Sequence, residues 1–161
     1  MALSGRVAVR ATTQNNLIFS WAAVQSAVTN SSTVSWQMIL EAGQYGKINA
    51  TPGSPWSVTI DGKTVTGTSS LAIENNQTKV LAQGQVELSH DEMGERSFDF
   101  SFQQEFWIHF DGESIRIVSG SGSAQLDTIP RASQPSVGAM TASLSTSWSL
   151  VTPEPRCSVP Y

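Results

Sequence analysis

The chain has a single cysteine, Cys157, so no intrachain disulfide can form and no Cys/His metal-ligand spacing exists. Packing alone must hold the fold. Charge is also scarce: Asp, Glu, Lys and Arg make up 14% of the 161 residues, against roughly 25% in an average soluble protein. The nine basic residues are scattered, and the net charge is −4. Nucleic-acid binding needs clustered positive charge to displace counterions from phosphates, so a nucleic-acid partner is excluded. No apolar run is long enough to cross a bilayer as a helix, which argues against membrane insertion. Met1–Arg6 lacks the apolar core of a signal peptide, and the expectation is a protein that folds in a cytoplasm. Sustained helical periodicity is missing as well.

What the chain has instead is 24 Ser and 14 Thr, residues that suit solvated strand faces and turns and give surface helices little support. Period-two alternation recurs along it. Val7, Val9 and Ala11 fall on one face of a segment, as do Leu17, Phe19 and Trp21. The same holds for Val34, Trp36, Met38 and Leu40, for Trp56, Val58 and Ile60, and for Phe98, Phe100 and Phe102. Val80 to Leu88 has apolar residues on either side of Gly84, which reads as a bulge or bend. Ile115 and Ile117, then Leu126 and Ile129, continue the series. Asp61-Gly62 and Asp111-Gly112 each separate two such segments and supply the positive φ angles of type I′ hairpin turns. One helical turn fits between Trp21 and Ala27, although its Ser, Thr and Val neighbours disfavour it.

These signals predict an all-β fold, an antiparallel β-sandwich of jelly-roll or immunoglobulin-like kind with about eight to ten strands. The length supports one domain with a real core. Residues 1–133 are read as the sandwich. The strand-like Leu126–Ile129 runs into Pro130, which has no N–H for a ladder and marks the domain's end. Residues 134–161 read as a Ser/Thr/Pro-rich tail or the truncated start of a further segment, with a strand conceivable over Thr141–Leu150.

No residue set points to catalysis, a cofactor or a metal. His90-Asp91-Glu92-Met93-Gly94-Glu95-Arg96 has the composition of a metal loop, but its adjacent carboxylates match no ligand spacing, so it reads as a solvated turn. Glu87, Asp99, Glu105 and Glu113 lie on strands; a glycosidase pair would need two of them facing across a cleft, and polar strand faces are far more often plain surface. Gly120-Ser121-Gly122-Ser123 lacks the lysine and following helix of a phosphate loop. Asn30, Asn49 and Asn76 begin formal glycosylation sequons, which in a Ser/Thr-rich chain read as coincidence. Trp21, Trp36 and Trp56 are core candidates. Phe106-Trp107-Ile108-His109-Phe110 is different, because both faces are rich. If Trp107 and His109 point outward they form an aromatic patch beside a hairpin tip, a candidate ligand-binding pair; the ordinary alternative is packing against another subunit or domain.

Three segments together carry a family resemblance: Thr29–Trp36 with Asn30-Ser31-Ser32, then Leu88-Ser89-His90 followed by Gly94 and Phe98–Ser101, and lastly Leu126–Ser133 with Ile129-Pro130-Arg131-Ala132-Ser133. They resemble a family of siphophage minor structural proteins, tail-associated and of uncharacterised function, from phages of Gram-positive bacteria. The resemblance covers roughly residues 1–133. It departs from the family's pattern at Met93-Gly94, where Asp-Gly is common, and in the 28 residues left where relatives continue into further domains. It implies a virion location in the tail or tail tip, a homo-oligomer assembled with other phage structural proteins, and contact with host cell-wall saccharide. No catalytic residue is implied. The alternative reading is a carbohydrate-binding module of a secreted glycosidase, which expects a planar row of exposed aromatics.

Overall fold

The structure, a computed structural model, describes residues 1–49 and 52–131. Among these are eight strands and no helix: β1 (Ser4–Thr12), β2 (Asn15–Ser26), β3 (Ser31–Ala42), β4 (Ser54–Ile60), β5 (Lys63–Ser69), β6 (Thr78–Ser89), β7 (Ser97–Phe110) and β8 (Glu113–Gln125). They form two four-stranded antiparallel sheets, ordered β1-β2-β3-β6 and β5-β4-β7-β8. Met1–Ile129 make one compact unit. The strand conceivable over Thr141–Leu150 lies outside the described residues.

The alternating apolar positions meet between the sheets. Leu17, Phe19, Val34, Trp36, Met38 and Leu40 from the first sheet pack against Val58, Ile60, Phe98, Phe100 and Phe102 from the second. Phe19 stacks on Phe100 and Phe102, with centroids 4.8 and 5.3 Å apart, and Trp21 meets Phe98 edge-on at 5.2 Å. Each fully buried side chain of this size contributes about 1.5–3 kcal/mol of transfer free energy. With no disulfide available, this aromatic layer holds the sandwich.

The edges are closed by a second device. All four edge strands carry glycine directly opposite an inward aromatic residue of their neighbour. Gly5 pairs with Trp21, Gly84 with Trp36, Gly67 with Trp56, and Gly122 and Gly120 with Phe100 and Phe102. The rings lie over the glycines so closely that a Cβ at Gly84 would come within 2.8 Å of Trp36 Cζ2. The aromatic side chain thus covers both its own position and its neighbour's.

Four expectations are corrected. Gly84 is neither bulge nor bend, since the irregularity in β6 falls between its Val80 and Ala82 pairings, and Gly84 makes room for Trp36. The helical turn at Trp21–Ala27 does not form, because Trp21 to Ser26 pair residue by residue with Trp36 to Ser31. Leu126–Ile129 is not a strand: β8 ends at Gln125, Leu126 makes one parallel bridge to Ala2, and Leu126 and Ile129 are buried in a returning segment. The turn around His90 exists, but His90 itself is buried, as described below. Both Asp-Gly turns hold positive φ at both residues: 53° and 79° at Asp61-Gly62, 50° and 80° at Asp111-Gly112.

Candidate functional site

Trp107 stands where β7 breaks its register. Glu105 pairs with Ile117 and Ile108 with Ile115, so Phe106 and Trp107 together oppose Arg116. A bulge of this kind re-aims side chains. Phe106 stays buried in the core while Trp107 turns out and is 60% exposed. Its φ is 51°, in the left-handed region that costs a non-glycine residue about 1–2 kcal/mol.

The surroundings hold the bulge in place. Gln104, fully buried, donates its side-chain amide to the Glu105 carbonyl at 2.9 Å and lies 3.2 Å from the Pro55 carbonyl, tying the bulge to β4. Trp107 Nε1–H donates to Glu105 Oε1 at 2.7 Å, and the Arg116 guanidinium carbon lies 6.0 Å from the indole ring centre, at the outer reach of a cation–π contact. Ile108, Phe110 and Ile115 pack against the core, and Thr13 Oγ1 donates to Asp111 Oδ2 at 2.9 Å, anchoring the hairpin tip to the β1–β2 turn.

His109 is exposed two residues beyond Trp107, and its Nδ1 lies 3.2 Å from Ser114 Oγ. Both members of the sequence-predicted pair therefore face solvent. Sequence reasoning missed three neighbours: Glu105, Arg116 and the exposed Ile117. The result is a fixed indole with hydrogen-bonding groups at its rim, which suits stacking on the C–H face of a ring while hydroxyls are bonded at its edge.

The second histidine serves the fold. His90 is 7% exposed; its Nδ1 lies 2.8 Å from the Gly94 carbonyl and its Nε2 2.6 Å from Ser32 Oγ. A carbonyl only accepts, so Nδ1 carries the proton and, in the neutral ring, Nε2 accepts from the Ser32 hydroxyl. The Gly94 carbonyl also accepts from Ile129 N–H at 2.8 Å, and Asn30 Nδ2 donates to the His90 and Asp91 carbonyls at 3.1 and 2.9 Å. Asn30 and Asn76, which begin two of the formal sequons read as coincidence, occupy left-handed turn positions with φ of 51° and 59°.

The four strand carboxylates are dispersed. Glu87 is across from Thr33, Asp99 from Ser123, Glu105 from Ile117 and Glu113 from Phe110, and no two face each other across a ladder. Among the described residues, no group of three or more His, Cys, Asp and Glu side chains is placed to hold a metal ion.

Fold and surface define an antiparallel β-sandwich with an exposed tryptophan on a bulge in its β7–β8 hairpin. No family model, curated protein or solved structure matches the chain.

Proposed function

We propose that this chain is a structural component of a bacteriophage virion, in the tail or tail tip, whose Trp107 end contacts saccharide of the host cell wall. The observation that carries the binding half is Trp107, held exposed at an unfavourable backbone angle by a buried glutamine and a glutamate. Strain kept at a surface position where a glycine would relieve it points to a use for the indole. The virion half rests on the family resemblance. The segments that carry it meet in space, since Ser32, His90, Gly94 and Ile129 form one hydrogen-bonded knot. That supports reading them as a single signature of the fold. Weak stacking at one site gains strength when many copies sit on one particle.

The reading as a carbohydrate-binding module expects a planar aromatic row. The exposed aromatics among the described residues are Tyr45, in the β3–β4 connection, and Trp107. The test is a glycan array of Gram-positive cell-wall polymers probed with the multimerised full chain, alongside Trp107→Ala. The expected result is binding to at least one polymer, lost in the variant. If neither form binds, the attachment role fails; mass spectrometry of purified particles then tests the structural role separately.

A further inference from the structure

The four sheet edges are protected unequally. β1 shifts register between Arg10 and Thr12, β6 is irregular between its Val80 and Ala82 pairings and carries Lys79 and Glu87, and β8 sits across the Trp107 bulge with Arg116 inside the strand. Bulges and charges of this kind blunt an edge against further pairing. β5 has neither device along its length. Its sequence is Lys-Thr-Val-Thr-Gly-Thr-Ser, its pairing to β4 is regular from Lys63 to Ser69, and its one charge sits at the hairpin turn.

The hairpin geometry shows which groups are free. Ile60 and Lys63 close the two-residue turn as a hydrogen-bonded pair, so alternation directs the backbone of Lys63, Val65, Gly67 and Ser69 towards β4. The N–H and C=O groups of Thr64, Thr66 and Thr68 point out of the sheet. Beside them the sandwich opens into a narrow, mainly apolar cleft lined by Trp36, Val58, Ile60, Val65 and Val86, with Lys63 and Gln85 at its polar side, and Val65 is 49% exposed.

We infer that β5 is a self-association edge, and that a second copy of this chain pairs with it antiparallel about a two-fold axis at Thr66. The strand is complementary to itself in that register. Thr66 meets Thr66 of the second copy, Thr64 meets Thr68, and each pair exchanges both backbone hydrogen bonds. Threonine on threonine is a favourable cross-strand pair. Val65 falls beside the second copy's Gly67, the inward position of β5 with no side chain, and covers part of the apolar cleft. Lys63 stands opposite Ser69, so no like charges face each other. A two-fold pairing closes on itself and yields a dimer with one continuous eight-stranded sheet. The inference rests on the edge alone and does not depend on saccharide binding at Trp107.

Sedimentation equilibrium of the full chain tests it. The expected mass rises with concentration to twice the 17.3 kDa of one chain. Thr66→Pro removes an outward N–H and leaves the β4 ladder whole; Thr66→Lys sets two ammonium groups together at the axis. Both variants are expected to stay at one chain mass, whereas Ser101→Lys on central β7 dimerises like the wild type. If Thr66→Pro fails to fold, Thr66→Lys decides. In a Cys157→Ser background, Thr66→Cys is expected to form a disulfide-linked dimer on oxidation and Ser101→Cys is not. A wild type that stays at one chain mass at its highest soluble concentration overturns the inference. So does dimerisation unchanged by Thr66→Lys, or hydrogen-exchange protection of the Thr64, Thr66 and Thr68 amides in a monomer, which would place another segment of the same chain on the edge.

Discussion

The two histidines sit in regions that look alike in sequence and do opposite work. Each lies in a polar or mixed stretch near a residue with positive φ, Gly94 for His90 and Trp107 for His109. At His90 both ring nitrogens have partners, the ring is buried, and the left-handed position is a glycine. At His109 the ring is exposed, and the left-handed position holds a bulky indole that is exposed too. Satisfied polar groups under cover contribute stability. Strain with exposure detracts from it, and the binding role proposed for the indole gives a reason for keeping it at Trp107.

The comparison breaks most sharply at Gly94. A Cβ there would lie 2.1 Å from the Ile129 carbonyl oxygen, a backbone atom, at a φ of 80°. Gly94→Ala is therefore expected to cost about 3 kcal/mol or more, read as a lowered urea midpoint. Removing the ring next to it costs less: His90→Ala leaves the Ser32 hydroxyl and one lone pair of the Gly94 carbonyl unpaired in the interior, for about 2–3 kcal/mol and a fall in Tm of roughly 5–10 °C. An unchanged Tm for His90→Ala would show that the knot does not hold the fold. Gly84→Ala drives a methyl into the Trp36 ring and is expected to cost about 1–2 kcal/mol, with the near-UV circular dichroism of the tryptophans altered. At the other region, His109→Ala is expected to leave stability within about 0.5 kcal/mol of wild type, as for other exposed positions.

The fold was largely legible in sequence because alternation and Asp-Gly turns are local signals. Phe98, Phe100 and Phe102 needed only period two, and Asp61-Gly62 and Asp111-Gly112 needed only backbone sterics. What was hidden depended on partners far along the chain. Gly84 is explained by Trp36, nearly fifty positions earlier, and without the register it looked like an irregularity. His90 is buried by Ser32 and by the returning Ile129; the polar run itself has the composition of a solvated turn. Trp107 and His109 were picked out by their richness on both faces, but which face turned outward depended on register, and the bulge that fixes it contains no glycine to announce it. Glu105 and Arg116 had no signal beyond charge on a strand.

The most direct test of the account is Trp107→Gly, assayed for thermal stability and for binding to a panel of purified Gram-positive cell-wall polysaccharides. Glycine adopts a φ of 51° without penalty and the indole is mostly exposed, so this variant is expected to melt at or slightly above the wild-type temperature. Its polysaccharide binding is expected to fall about tenfold or more, as for loss of an aromatic anchor. A variant that loses several kcal/mol of stability and binds as the wild type does would contradict the account, because Trp107 would then belong to the fold as His90 does.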